Sequence, residues 1–179
     1  MKKNFLKILM SLSVASLICS CAQRPAQNNL ILIDISGSNL TNIDKTLNRV
    51  NDIYSEIMPN DTLDVYFFSS VKYLAYSGKK FTKDRDFLPY LKQGLEKAKA
   101  IKVEEGTSFE ICKNILESTQ DYKLAYLLTD GYFENSKIEK IKLKPDVSIE
   151  IVGLSIENNE RILKSLSNPK QAKIDFQGN

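Results

Sequence analysis

Asp34-Ile35-Ser36-Gly37-Ser38 places three oxygen-bearing side chains at alternate positions. Gly37 lets such a loop turn tightly enough for all three to face one point. A second aspartate, Asp130, ends another apolar run, and Gly106-Thr107-Ser108 supplies a further hydroxyl. Two carboxylates brought together raise each other's pKa unless a cation lies between them. Hydroxyl and carboxylate oxygens are hard donors, suited to Mg²⁺, Mn²⁺ or Ca²⁺ and not to zinc or copper. The chemistry within reach of Asp34, Ser36, Ser38, Thr107 and Asp130 is the holding of one divalent cation.

Each piece also has a plainer reading. Asp34 to Ser38 could be a polar loop leading into a helix N-cap. Thr107-Ser108-Phe109-Glu110 spells a capping box, in which Thr107 bonds backbone. A hydroxyl has two acceptor lone pairs, so Thr107 could cap and ligate at once. Asp130-Gly131 could be a turn. Asp-x-Ser-x-Ser alone is weak, arising by chance in about one chain of this length in twenty-five.

The elements around these residues decide whether they meet. Leu30-Ile31-Leu32-Ile33 is a continuous apolar run ending at Asp34, as in a strand buried on both faces. Ile43, Leu47, Val50, Tyr54 and Ile57 recur at helical spacing, and Pro59-Asn60-Asp61 stops that helix. Leu63 to Phe67 alternates as a strand, with Val71 to Tyr76 as a hairpin partner at an edge. Phe87 to Ala98 and Ser108 to Ser118 read as helices, with Pro89 tolerated in the first turn of the former. Leu124 to Thr129 is a second apolar strand, ending at Asp130. The spacing of Ile138 and Ile141 predicts a short helix. Val147 to Val152 reads as a strand, Ile156 to Leu166 as a helix and Ala172 to Phe176 as a last strand. Strands alternating with helices give an α/β fold: a doubly wound, mostly parallel central sheet with helices on both faces. In such sheets ligands bind beyond the carboxyl ends of the strands, where strand order reverses. Both aspartates belong there if their strands are neighbours.

Asp34-x-Ser36-x-Ser38, then Gly106-Thr107, then Thr129-Asp130-Gly131 resemble the metal-ion-dependent adhesion site of von Willebrand factor A domains, in the same order and between the same elements. The resemblance covers roughly residues 29–176. It implies Ser36, Ser38 and Thr107 as hydroxyl ligands, Asp34 and Asp130 as direct or water-mediated ligands that balance the charge, and an open position for an acidic residue of a protein partner. One departure is visible: the family domain is commonly longer around its last strands, and residues 167–179 leave little chain for a sixth.

Composition narrows the function. The chain has no histidine, which removes Ser-His-Asp and Cys-His designs and zinc sites that need imidazole. Three of its 25 basic residues, Lys2, Lys3 and Lys7, lie in the first 20 positions, leaving 22 against 22 acidic ones. A balanced chain gives no electrostatic case for nucleic acid. The expectation is a binding module and not an enzyme. The alternatives are a Mg²⁺-dependent phosphoryl-transfer or hydrolase enzyme and a metal-free scaffold. Against the enzyme stand the absence of a phosphate-cradling Gly-rich loop and of an Asp-x-Asp-x-Thr nucleophile motif.

The N-terminus reads as a leader. Lys2, Lys3 and Lys7 make a positive region, and Phe5 to Ile18 is largely apolar but too short and serine-rich for a good membrane span. Ile18-Cys19-Ser20-Cys21 resembles the lipobox of bacterial lipoproteins. Cys21 fits as the lipidated residue better than Cys19, which has bulky Ile18 at the cleavage bond. The expected organisation is a signal peptide over 1–20, a lipidated tether over 21–29 and a domain over 30–179, lipid-anchored in a bacterial cell envelope. The polar stretch 22–29 would reach at most about 26 Å at about 3.3 Å per residue. The metal site, at the far end of the first strand from the tether, would then point away from the membrane. Cys112, on one helical face with Phe109, Ile115 and Leu116, reads as a buried core thiol.

Overall fold

The computed structural model describes residues 24–80, 86–101, 108–118, 121–133, 139–153 and 156–176. The first strand, β1 (Asn28–Asp34), holds Leu30, Ile31, Leu32 and Ile33 at 0% exposure. Burying each such side chain stabilises by about 1.5–3 kcal/mol over leaving it in water. A strand this apolar has to be central, and β1 lies parallel between β2 (Thr62–Phe68) and β4 (Leu124–Thr129). The six-stranded order is β3-β2-β1-β4-β5-β6, with β3 (Lys72–Lys79), β5 (Ser148–Gly153) and β6 (Ala172–Phe176). Every pairing is parallel except that of edge strand β3, which runs antiparallel to β2 with a register shift between Val65 and Tyr66. Such a bulge, with Lys72 and Lys79 at its ends, blunts an edge that could otherwise pair with another chain.

The alternation of β1 divides the core. Ile31 and Ile33 face one layer, formed by α2 (Ile43–Glu56) and α3 (Phe87–Ile101) and built on Leu47, Val50, Tyr54, Phe87 and Leu91. Tyr54 stacks on Phe87 with ring centroids 3.7 Å apart. Leu30 and Leu32 face the other layer, where α4 (Phe109–Ser118) contributes Phe109, Cys112 and Ile115, and α5 (Ile156–Ser165) contributes Ile162. Cys112 is fully buried, and burial pushes its thiol pKa up, with the Asp34 charge adding to it.

Three expectations change. Ile138 lies outside the described residues, but Ile141 is not helical: it bridges Leu166 in parallel, donating to Ser165 O and accepting from Ser167 N, each at 2.9 Å. The reason is visible in Lys140-Ile141-Lys142-Leu143-Lys144, which alternates with period two and is stopped by Pro145. Residues 172–176 do complete a sixth strand, because Pro169–Gln171 turns the chain in one 3-10 segment straight onto β5. The domain also begins before residue 30. β1 starts at Asn28, and Arg24 already grips Asp61, its two terminal nitrogens 3.2 and 2.6 Å from the carboxylate oxygens. Gln27 N and Met58 N donate to the same carboxylate. Asp61 is only 2% exposed; burial alone would raise its pKa, but these bonds and the Arg24 charge bring it below the usual carboxylate range.

Candidate metal centre

β1 and β4 are the neighbours at which strand order reverses, so their carboxyl ends share one rim. Asp34 closes β1 and is 0% exposed. Its Oδ1 accepts from the Ser36 amide at 2.8 Å, and its Oδ2 from the Thr129 hydroxyl of β4 at 2.7 Å. Burial pushes its pKa up to about 6, against the lowering effect of the Thr129 and Ser36 hydrogen bonds, and the nearby Asp130 charge pushes the same way as burial.

Ser36 is the N-cap of a short helical turn, α1 (Gly37–Leu40), and its carbonyl accepts from Leu40 N at 2.9 Å. The start of this helix turns the chain, so Gly37 needs no left-handed backbone. The Ser36 and Ser38 hydroxyl oxygens lie 3.3 Å apart, the former buried and the latter exposed. Asn39, 2% exposed, donates from its side chain to the Asp34 carbonyl at 2.5 Å and locks the turn onto the strand end.

Asp130 follows β4 and is half-buried. Its Oδ1 accepts from Tyr132 N at 3.0 Å, and Gly131 N donates to Thr129 Oγ1 at 3.0 Å. Gly131 has φ 72°, a left-handed conformation that a Cβ would strain.

Thr107 lies outside the described residues, as does Cys21. Its neighbour Ser108 is placed: Ser108 N donates to Ser69 O at 3.1 Å, and Ser69 directly follows β2, whose last residue Phe68 accepts from Ile35 N. The segment after Thr107 therefore meets the rim that carries Asp34. Ser108 also caps α4, its hydroxyl accepting from Ile111 N at 3.3 Å. Ser108 therefore takes part in capping this helix.

Sequence spacing singles out neither Thr129 nor Asn39, although both hold Asp34. Thr129 was detectable as the polar end of an otherwise apolar strand, on the face that alternation assigns to Asp34. Asn39 carries no comparable signal, because a lone asparagine in a short turn fits many roles.

These residues suit a hard divalent cation. Two cis ligands of an octahedral ion at about 2.1 Å lie about 3 Å apart, near the Ser36–Ser38 oxygen separation. A carboxylate oxygen has more than one acceptor site, so a hydrogen-bonded Asp34 can still balance the charge of a cation, directly or through water. Among the described residues there is no cluster of three His, Cys, Asp or Glu side chains. A centre here would be built on hydroxyls with two carboxylates for charge.

No family profile matches the chain, and no curated protein does. Solved structures do. VWA2, the ArnB paralog from Sulfolobus acidocaldarius, superposes with TM-score 0.61 at 19% identity over 87% of this chain and 42% of its own. The SpRpn10 VWA domain matches with TM-score 0.59 at 8% identity, over 86% of this chain and 89% of its own. Proximal thread matrix protein 1 from the mussel byssus, whose MIDAS motif is occupied by zinc in that structure, matches with TM-score 0.55 at 15% identity, over 84% of this chain and 44% of its own. This chain thus spans less than half the length of VWA2 and of the byssus protein. With the strand order, the switch point and these superpositions together, the chain has the von Willebrand factor A fold.

Proposed function

We propose that the chain is a metal-dependent protein-binding module of the bacterial cell envelope, anchored by a lipid on Cys21. Ser36, Ser38 and Thr107 would hold Mg²⁺, or Mn²⁺ or Ca²⁺, through their hydroxyls, and Asp34 and Asp130 would balance its charge. When bound, the cation supplies an open position that takes a carboxylate from a protein partner. The chain's own part is to hold that position rigid: Thr129 and the Ser36 amide fix the Asp34 carboxylate, and Asn39 fixes the turn bearing both serines. Binding is favoured over turnover because the chain has no histidine to serve as a base. The observation that carries the proposal is the delivery of Asp34, Ser36, Ser38 and the Asp130 loop to one rim by two adjacent strands.

Thermal melting with and without Mg²⁺ or Mn²⁺ tests it. A cation at one hundred times its Kd should add about 2.7 kcal/mol of stability to the wild type. Ser38→Ala, at an exposed position, should melt normally without metal and lose most of that shift. An equal shift in both proteins, or none in the wild type, removes the metal. Pull-down from native membranes, comparing wild type with Asp130→Ala in Mg²⁺, looks for the partner. Fractionation of Cys21→Ser looks for the anchor, which is refuted if that variant stays in the membrane.

A further inference from the structure

Tyr132 stands two residues beyond Asp130 and is 52% exposed, the most exposed of the large apolar side chains of the described residues. A single exposed tyrosine ordinarily needs no explanation. This one is held out by its surroundings. Its amide is bonded to Asp130 Oδ1 at 3.0 Å, the preceding Gly131 amide is bonded to Thr129 Oγ1, and Gly131 turns the chain through φ 72°. On the other side Phe133 is 5% exposed and packs edge-on against Phe109 of α4, with centroids 5.2 Å apart at 83°. The backbone on both sides is held by these contacts, and the ring between is left exposed two residues from Asp130.

An aromatic side chain presented on a fixed backbone buries area on binding at little cost in lost conformational freedom. Tyrosine is for that reason enriched among the residues that dominate interfaces. A metal-bound carboxylate supplies charge attraction but cannot tell one acidic side chain from another. The neighbouring contact has to do so.

We infer that Tyr132 selects the partner: it takes an apolar side chain adjacent to the acidic residue that enters the metal's open position. The inference rests on the function proposed above and adds the kind of sequence recognised, an acidic residue next to an aromatic or aliphatic one. The hydrogen bond from the Tyr132 amide to Asp130 ties the backbone that bears the ring to the carboxylate proposed to balance the cation.

Three peptides test it on the full-length chain by calorimetry in Mg²⁺: one with glutamate between glycines, one with phenylalanine before the glutamate, and one with phenylalanine before glutamine. The phenylalanine-glutamate peptide should bind wild type about tenfold more tightly than the glycine-flanked one, a difference of 1.4 kcal/mol. The glutamine peptide should not bind. In Tyr132→Ala the two glutamate peptides should bind alike, while the Mg²⁺-induced rise in melting temperature stays at its wild-type size. Equal binding of both glutamate peptides to wild type, or a preference that survives in Tyr132→Ala, overturns the assignment and leaves the metal site standing. No Mg²⁺-induced rise in wild type overturns both. The chain has no tryptophan, so Tyr132→Trp supplies its single indole, which can be excited selectively over the remaining tyrosines. Its emission should shift on adding the phenylalanine-glutamate peptide and stay constant on adding the glycine-flanked one. The same shift with both peptides counts against Tyr132.

Discussion

The Thr129 hydroxyl donates to Asp34 Oδ2 at 2.7 Å, joining the ends of β4 and β1 through a carboxylate with no exposed surface. Thr129→Val keeps the shape and deletes the hydroxyl, so Asp34 loses one of its donors and the Gly131 amide loses its acceptor. Leaving a buried acceptor short costs about 1–3 kcal/mol. Chemical denaturation should show that loss in metal-free protein, together with weaker Mg²⁺ binding. Unchanged stability would mean that the bond contributes nothing.

Under the proposed metal binding, Asp34 would make the affinity depend on pH. Its folded-state pKa is raised from 3.8 to about 6. The folded protein therefore holds this proton more tightly than the unfolded chain. The resulting stability is complete below about pH 4 and is lost as pH rises through about 6. A cation favours the ionised form, so the Mg²⁺ stabilisation should be small at pH 4.5 and complete by pH 7.5. Melting curves at the two pH values, with and without Mg²⁺, check this; equal shifts at both would contradict it.

Asp61 acts in the opposite direction. Its pKa lies below 3.8, so its contribution is present above that value and is lost as pH falls. Asp61→Asn should flatten the acid limb of stability and cost about 1–3 kcal/mol at pH 7, since the buried side chain loses a charge-assisted partner in Arg24. Arg24→Ala should cost less, about 1 kcal/mol, because Arg24 is 41% exposed and the Gln27 and Met58 amides remain. The two variants melting alike would argue against this ranking.

Gly153 and Asn159 should be coupled. A Cβ built on Gly153 would lie 2.1–2.5 Å from the Asn159 side-chain amide, which is buried with neither polar atom hydrogen-bonded among the described residues. Gly153→Ala should destabilise by about 1–3 kcal/mol. Asn159→Ala should restore most of that loss, because it removes both the clash and two unsatisfied polar atoms. Additive effects in the double variant would show that the two side chains do not compete for one space.

Much of the fold was legible because its strands carry unambiguous patterns. Leu30 to Ile33 can only be central, and Leu124 to Thr129 repeats the signal next to it. Those two strands also bring Asp34 and Asp130 together, so the centre of the site could be read from where apolar runs end. What escaped was local competition. Ile141 and Leu143 alternate with lysines, and Ile141 pairs with Leu166, a partner 25 positions away that helical spacing does not anticipate. The sequence spells a capping box with Thr107 as its cap, and the Ser108–Ile111 bond shows a capping contact one residue later. Arg24 meets Asp61 across 37 positions, so nothing local in residues 22–29 marks them as docked.

That last contact sets the length of the leash. Under the proposed lipid anchoring at Cys21, the contour from the anchor to the docked Arg24 is three steps, at most about 11 Å at about 3.8 Å per step, against the about 26 Å of a loose segment. The volume the binding rim can sweep shrinks accordingly, and its effective concentration rises for partners standing at a matching height above the same membrane. A searching arm becomes a short post, and breaking one ion pair, Arg24 to Asp61, would lengthen the leash only as far as Gln27, which Asp61 and Thr62 still hold.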